Sequence, residues 1–124
     1  MTVVDASALL AFLFREPGAD RVALALTDAC ISAVNLSEVA GRFLRDGHDL
    51  RRVRDRLSRL PLEVVPFDQS AAFATAALQR ATAHLGLSLG DRACLALAKE
   101  RNLTALTADR AWLQVAGIQV ESIR

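Results

Sequence analysis

Residues 1–10, M-T-V-V-D-A-S-A-L-L, lead from a short apolar segment through one carboxylate into a second apolar segment. The β-branched residues Thr2–Val4 predict a strand, and the segment Ser7–Phe14 predicts a helix. Asp5 lies between them. A carboxylate at the end of a buried strand needs donors or a cation, because burying an unpaired charge is costly. The sequence therefore raises the question of what the folded chain places beside Asp5.

Strands and helices alternate along the whole sequence. Further strands are predicted at 29–32, 62–65, 103–107 and 119–123, and further helices at 19–26, 35–45, 49–60, 69–85, 88–100 and 110–115. This alternation favours an α/β fold with a mainly parallel central sheet covered by helices. A length of 124 residues and a hydrophobic content of 52% favour one domain, residues 1–124, with its own core.

Composition and charge exclude several classes of protein. The net charge of +1 is not typical of a strongly basic nucleic-acid binder. Arginines are nevertheless concentrated between Arg42 and Arg59, where they form either a solvated surface or a phosphate-binding one. Cys30 and Cys94 lie in apolar segments and predict buried thiols in a reducing compartment. With no leader or membrane-spanning segment in the sequence, we expect a cytoplasmic protein.

Three further carboxylates occupy the same kind of strand-to-helix junction as Asp5: Glu38 in N-L-S-E-V, Asp91 in L-S-L-G-D-R, and Asp109 in L-T-A-D-R. The carboxyl ends of parallel strands, and the helices that start there, lie on one edge of a sheet. Carboxylates gathered at that edge repel one another unless a cation lies among them. Oxygen ligands of this kind suit Mg²⁺ or Mn²⁺, and the hydroxyls of Ser7 and Thr107 are expected nearby as supports.

Helix capping is the alternative explanation for each of these carboxylates. Asn35 and Ser88 each stand three residues before one of the acids, which is the spacing of a capping box. Asp109 fits the N-cap of a short helix that starts at Arg110, and Asp5 fits an Asx-turn onto the serine that follows. Capping and metal binding are compatible, because both use carboxylates at helix starts.

The ordered segments V-V-D-A-S-A-L-L, N-L-S-E-V, L-S-L-G-D-R-A-C-L-A-L-A and L-T-A-D-R-A-W resemble the motifs of PIN-domain proteins. Within that group the chain resembles the VapC-type toxin ribonucleases of bacterial toxin–antitoxin pairs, from Thr2 to Trp112. The resemblance implies a three-layer α/β/α sandwich and an Mg²⁺- or Mn²⁺-dependent endoribonuclease that hydrolyses RNA phosphodiester bonds. It also implies a homodimer and a cognate antitoxin that covers the site.

The resemblance also implies roles for particular residues. By motif match the catalytic and metal-binding set is Asp5, Glu38, Asp91 and Asp109, supported by Ser7 and Thr107. Ala108 stands where family members often have glycine, a mild change that leaves the following aspartate in place. The candidates for contact with the RNA backbone are Arg42, Arg45 and Arg92. Trp112 fits core packing better than base stacking.

Two other kinds of function stay open at this point. A catalytically inactive PIN-like binding module would keep the fold and sequester a partner. Another Mg²⁺-dependent phosphohydrolase, or a receiver-like domain, also gathers acids at strand ends, although Lys99 falls within a predicted helix rather than where a receiver needs its lysine. The sequence contains no P-loop, no G-x-S-x-G motif and no His/Cys set with zinc-ligand spacing.

Overall fold

The computed structural model describes residues 1–124 and contains one five-stranded sheet. The strands are β1 (Thr2–Val4), β2 (Ala29–Ser32), β3 (Glu63–Val65), β4 (Thr104–Thr107) and β5 (Val120–Ser122). Their order across the sheet is β3-β2-β1-β4-β5, and all four neighbouring pairs are parallel. The prediction of a mainly parallel sheet is therefore confirmed.

Seven α-helices and three 3₁₀ turns connect the strands. The helices are α1 (Ala6–Leu13), α2 (Ala19–Ala25), α3 (Ala33–Arg45), α4 (Leu50–Ser58), α5 (Gln69–Ala76), α6 (Gln79–Thr82) and α7 (Leu89–Arg101). The 3₁₀ turns are Leu26–Asp28, Ala83–Leu85 and Arg110–Gln114. None of the helices is both long enough and apolar enough to cross a membrane.

The sheet separates two hydrophobic clusters, because successive side chains of a strand point to opposite faces. Val4 belongs to the cluster that includes residues of α1, α2, α3 and α4. Val3 belongs to the other cluster, which includes both buried cysteines, α7 and Trp112. Helices thus cover both faces, and the predicted three-layer α/β/α sandwich is confirmed. Trp112 is completely buried, as the core interpretation predicted.

The order of the strands determines where Asp5 lies in the fold. The chain runs outward from β1 through β2 to β3, and it returns to the other side of β1 for β4 and β5. In open parallel sheets a crevice forms beyond the carboxyl ends of the strands where this direction changes. Asp5 follows the central strand β1 directly, and its backbone N–H donates to the carbonyl of Leu106 on β4 at 3.1 Å. Asp5 therefore lies at the base of that crevice.

The prediction of one helix over residues 69–85 is wrong. The segment divides into α5, α6 and a 3₁₀ turn. Within this segment Phe73 is 70% exposed, whereas Leu78 is buried. On an unbroken helix, positions five residues apart point about 140° away from each other. One straight helix could not bury both side chains against the same core, and the chain breaks where Leu78 turns inward.

Candidate metal centre

Asp5 is a buried carboxylate held by three donors. Its Oδ1 accepts the backbone N–H of Ala8 at 2.7 Å, which makes Asp5 the N-cap of α1. Thr107 donates its hydroxyl to Oδ2 at 2.7 Å, and the Ser7 hydroxyl lies 2.8 Å from both oxygens. Ser7 and Thr107 thus hold the Asp5 carboxylate by hydrogen bonds, and their supporting role in catalysis stays a prediction. The capping bond comes from the N–H of Ala8, whereas Ser7 contributes its hydroxyl.

The pKa of the Asp5 carboxyl is raised to about 6, chiefly by burial and to a smaller extent by the negative charge of Asp91. Hydrogen bonds from Ala8, Thr107 and Ser7 oppose this rise in pKa but do not cancel it. The loss of hydration outweighs the donors because Asp5 is only 3% exposed. Near neutral pH this carboxylate is therefore charged at a cost in free energy, which a nearby cation would reduce.

Three of the four predicted acids line one cleft of about 360 Å³ at the carboxyl edge of the sheet. Asp5 forms part of its lining, together with Glu38 from α3 and Asp91 from the first turn of α7. The charge of Asp91 raises the pKa of Glu38 as well, although desolvation is the larger cause and a hydrogen bond from Asn35 opposes both. The cleft is therefore an acidic site in which the charge of Asp91 acts on both of the other carboxylates.

Glu38 lies against the start of α7. Its Oε1 accepts a hydrogen bond from Nδ2 of Asn35 at 3.0 Å, and the same nitrogen donates to the carbonyl of Gly90 at 3.0 Å. The capping box predicted for Asn35 and Glu38 is wrong, because α3 starts two residues earlier than expected. Ser32 is the N-cap and accepts the backbone N–H of Val34. Asn35 is instead a buried cleft residue, with 1% exposure.

Asp91 caps its helix and also lines the cleft, while its role as a metal ligand stays a prediction. The predicted capping box at Ser88 is present: the Ser88 hydroxyl accepts the Asp91 N–H at 3.1 Å, and Oδ2 of Asp91 accepts the Ser88 N–H at 3.0 Å. The carboxylate nevertheless lines the cleft, because the first turn of α7 opens onto it. Capping orients one oxygen of Asp91 and does not remove the residue from the acidic site.

Asp109 does not line the cleft with the other three acids. It is exposed, and its Oδ1 accepts the backbone N–H of Ala111 at 3.0 Å, as the N-cap interpretation predicted. Its backbone N–H donates to Thr107, whose hydroxyl in turn donates to Asp5. Asp109 is therefore connected to the site through Thr107, and its own role as a metal ligand stays a prediction.

The predicted arginines fall into two groups. Arg42 and Arg45 line the cleft, whereas Arg92 does not. The Arg42 guanidinium lies 5.0 Å from the ring centroid of Phe14 and forms an ion pair with Asp46 at 3.2 Å. Arg45 has no carboxylate within ion-pair distance and is exposed. Arg45 is therefore the cleft arginine that is free to contact a phosphate.

The remaining arginines of the 42–59 segment lie on the surface of α4 or beside it. Arg59 pairs with Asp55 at 3.0 Å, and the Arg56 guanidinium lies 5.6 Å from the ring centroid of Phe43. The exposed arginines with neither an ion pair nor an aromatic partner are Arg51, Arg52 and Arg54. The structure thus divides this segment into arginines with intramolecular partners and arginines that face solvent.

The donor chemistry of the cleft fits a hard divalent cation. All three acids supply carboxylate oxygens, which Mg²⁺ and Mn²⁺ prefer. Cys94 lies behind the cleft, but complete burial raises the pKa of its thiol well above the usual range and leaves it protonated. No group of three or more His, Cys, Asp or Glu side chains has the spacing of direct metal ligands. Mg²⁺ tolerates wider spacing than zinc does, because it keeps several of its waters.

Sequence reasoning missed Asn35 and Gly90 as members of the site. An added Cβ at Gly90 would lie 1.7 Å from Oε1 of Glu38, so only glycine admits the carboxylate at this position. The three-residue spacing between Asn35 and Glu38 fits a capping box, but the same spacing also places two side chains on one face of a helix. Oδ1 of Asn35 has no hydrogen-bond partner, which costs about 1–3 kcal/mol for a buried acceptor.

The sequence pattern of the PIN domain family matches residues 2–118, which is nearly the whole chain. The chain belongs to the PIN domain family. A search of curated proteins found no match for this PIN-domain chain.

Solved structures share the fold of this PIN domain at low sequence identity. A toxin–antitoxin complex from Klebsiella pneumoniae is 21% identical, with a TM-score of 0.77 over 100% of this chain and 98% of that chain. FitAcB from Neisseria gonorrhoeae is 20% identical, with a TM-score of 0.75 over 99% and 98% of the two chains. DNA-bound VapBC from Salmonella typhimurium is 21% identical, with a TM-score of 0.73 over 99% and 98%.

Proposed function

We propose that this PIN-domain protein is a divalent-metal-dependent endoribonuclease and the toxin of a toxin–antitoxin pair. The observation that carries the proposal is the cleft in which Asp5, Glu38 and Asp91 converge beside Arg42 and Arg45. Acids and arginines in one cleft suit a substrate that brings phosphate together with a cation. The site lies at the sheet edge where α/β proteins bind ligands.

The protein's own residues perform distinct parts of the proposed reaction. When bound, Mg²⁺ or Mn²⁺ supplies positive charge that activates water and offsets the charge developing on the phosphate. Asp5 provides a fixed carboxylate, because Ser7, Ala8 and Thr107 hold its two oxygens in place. Glu38 and Asp91 provide the second and third carboxylates from two different helices.

Arg45 completes this division of roles. Its guanidinium has no ion-pair partner and can bind a phosphate of the RNA backbone, while Arg42 is held by Asp46 and Phe14. A cluster of acids alone would repel RNA, so the arginines at the rim favour approach of the substrate.

The proposed partners are a cognate antitoxin and a second copy of the chain. Support for the antitoxin comes from the relatives: the structures from Klebsiella pneumoniae and Salmonella typhimurium are a toxin–antitoxin complex and a VapBC complex. The homodimer follows from the family resemblance of the sequence motifs and is part of the proposal.

RNA cleavage by the purified chain, prepared without antitoxin, tests the proposal. We expect labelled RNA to be cut in the presence of Mn²⁺ and to stay intact in EDTA. Asp5→Asn should reduce cleavage by more than the roughly 100-fold that loss of a supporting residue can cost a metal site. Asp49→Asn is the matched control, because Asp49 also caps a helix but is exposed and does not line the cleft.

Three results would contradict the proposed nuclease function. If the wild-type chain bound Mn²⁺ and an antitoxin but cut no RNA, the inactive binding module would be favoured instead. If the chain accepted phosphate from a small phosphodonor and cut no RNA, a receiver-like or phosphohydrolase function would replace it. Equal cleavage by the wild type and Asp5→Asn would assign the observed activity to a contaminant.

A further inference from the structure

Asn35 is a buried amide that connects two helices at the acidic cleft. It lies on α3 with 1% exposure, and its Nδ2 donates to Oε1 of Glu38 on the same helix at 3.0 Å. The second proton of Nδ2 reaches the carbonyl of Gly90 on α7, also at 3.0 Å. A single side-chain nitrogen thus holds the Glu38 carboxylate and the first turn of α7 together.

These two acceptors determine the orientation of the Asn35 amide. If the amide were turned over, Oδ1 would face the carboxylate of Glu38 and the carbonyl of Gly90, and neither can donate a proton. In the observed orientation Nδ2 uses both of its protons, and Oδ1 is left with no partner. An apolar side chain of similar size would avoid an unpaired oxygen, but it would leave the Glu38 carboxylate without a donor.

Gly90 contributes the other half of this contact. A Cβ added to Gly90 would lie 1.7 Å from Oε1 and 2.6 Å from Cδ of Glu38. The carboxylate therefore lies directly on the backbone of α7, one residue before Asp91. The position of Glu38 relative to Asp91 depends on the asparagine that holds it and on the glycine that admits it.

Helix capping does not explain Asn35. Ser32 is the N-cap of α3, and Asn35 lies inside the helix. The bonds of its side chain go to the cleft carboxylate and to the neighbouring helix rather than to the free N–H groups at the start of α3.

We propose that Asn35 is a positioning residue, which holds the Glu38 carboxylate against the first turn of α7 and so sets its placement beside Asp91 for cation binding. This inference rests on the proposed metal-dependent function. Asn35 and Gly90 together position the Glu38 carboxylate, and Asn35 affects cation binding only through Glu38.

A double-mutant cycle on Mn²⁺ affinity, measured by calorimetry, tests the inference. Asn35→Ala and Glu38→Gln should each weaken Mn²⁺ binding by about tenfold, the lower end of what loss of a supporting residue costs a metal site. The double variant should bind no more weakly than Glu38→Gln alone, because Asn35 then has no carboxylate to hold. The inference would be overturned if the fold-losses of Mn²⁺ affinity in the two single variants multiplied in the double variant. It would also be overturned if Asn35→Ala bound Mn²⁺ as tightly as the wild type.

Two further variants test the inference if Asn35→Ala folds poorly. Gly90→Ala should displace the flexible end of Glu38 and weaken Mn²⁺ binding, although alanine favours a helix over glycine. Ser37→Ala is the matched control, because Ser37 lines the same cleft, is exposed and forms none of these bonds. Unchanged Mn²⁺ binding by folded Gly90→Ala would contradict the inference.

Failure of the proposed function would be distinguishable from failure of this inference. If the wild type bound no Mn²⁺ and cut no RNA, the proposed function would be wrong. The contact would then be tested in EDTA by urea unfolding of Asn35→Ala, Glu38→Ala and the double variant. Non-additive shifts of the unfolding midpoint would support the hold on Glu38, and additive shifts would overturn it.

Discussion

Asp5 both stabilises a helix start and supplies a carboxylate to the cleft. It caps α1 through the N–H of Ala8, and it accepts the hydroxyls of Ser7 and Thr107. These bonds orient the carboxylate without fully replacing its lost hydration, so its pKa stays raised at about 6. The group is well placed to bind a cation for the same reason that it is costly to keep charged without one.

Asp5→Asn should stabilise the protein in EDTA at pH 7.5. Asparagine keeps Oδ1 for the N–H of Ala8, and the hydroxyls of Ser7 and Thr107 can rotate to accept from the new amide. Removal of the buried charge should raise the free energy of unfolding by roughly 1–3 kcal/mol, since each unit of pKa shift corresponds to about 1.4 kcal/mol. Urea unfolding of the two proteins measures the difference.

The stability gained by Asp5→Asn should depend on pH. The pKa of Asp5 is about 6 in the folded protein, above the ordinary value of 3.8. Between these two pH values the native state therefore binds more protons than the unfolded state. The wild type therefore loses stability as the pH rises through this window, and the advantage of Asp5→Asn disappears below it. Asp49→Asn is the control, because Asp49 caps a helix at an exposed position. A less stable Asp5→Asn protein at pH 7.5 would contradict the prediction.

The first turn of α7 combines three requirements in adjacent positions. Ser88 caps the helix, Gly90 admits the Glu38 carboxylate, and Asp91 both completes the capping box and lines the cleft. A helix N-terminus also favours negative charge nearby, because its free N–H groups carry partial positive charge. One turn of helix therefore contributes both a cleft carboxylate and the surface on which another carboxylate lies.

Ser88→Ala should separate the capping role from the proposed metal site. Loss of the hydroxyl should lower the free energy of unfolding by about 1 kcal/mol and change Mn²⁺ affinity by less than about twofold. Affinity is retained because Asp91 keeps its hydrogen bond from the Ser88 backbone N–H, at 3.0 Å. Urea unfolding and calorimetry measure the two quantities.

Asp91→Asn provides the comparison for this element. It removes a cleft carboxylate while an amide oxygen can still accept the Ser88 N–H, so it should weaken Mn²⁺ binding far more than it changes stability. Equal losses of Mn²⁺ affinity in Ser88→Ala and Asp91→Asn would mean that the integrity of the helix start, and not the carboxylate, governs binding.

At the scale of the molecule, the site is assembled from segments that are far apart in the sequence. Asp5 comes from the end of β1, Glu38 from α3, and Asp91 from α7, and the parallel sheet brings them to one edge. A ligand that binds this assembled cleft binds the folded chain only. It should therefore stabilise the whole fold by mass action.

Mn²⁺ should raise the thermal stability of the wild type. At a concentration of about 100 times the dissociation constant, one site adds about 2.7 kcal/mol to the free energy of unfolding. The gain should be smaller at pH 5 than at pH 7.5, because protons compete with the cation for Asp5, whose pKa is about 6. Calorimetric melting with and without Mn²⁺ measures both effects.

Asp5→Asn is the control for the Mn²⁺ effect, because it should melt at nearly the same temperature with and without the cation. An equal rise of the melting temperature in both proteins would indicate that Mn²⁺ binds elsewhere on the surface.

Local sequence was sufficient to predict most elements of the fold. Thr2–Val4 and Ala29–Ser32 are strands at the predicted bounds, and the alternation of elements predicted the parallel sheet. The Ser88 capping box was also predictable, because it depends on residues within one helical turn. Such features depend on short-range patterns and can be predicted without knowledge of the tertiary contacts.

Other features depend on distant partners. The break between α5 and α6 follows from which side of an alanine-rich segment meets the core, so Leu78 is buried and Phe73 exposed. The start of α3 depends on Ser32, which both ends β2 and caps the helix, and not on the asparagine that also fits a cap. Propensity alone cannot choose between two cap candidates three residues apart, because tertiary packing contributes as much free energy as a cap.

The four acidic positions were visible in the sequence because each stands at a strand-to-helix junction, and short-range chemistry marks such junctions. Their spatial arrangement was not visible. The fold places Asp5, Glu38 and Asp91 in one cleft and leaves Asp109 outside its lining. It also brings Asn35 to Gly90, which are 55 residues apart in the chain. A strand or helix follows from neighbours in sequence, whereas the placement of a carboxylate beside another depends on contacts that exist only after the sheet and its helices have packed.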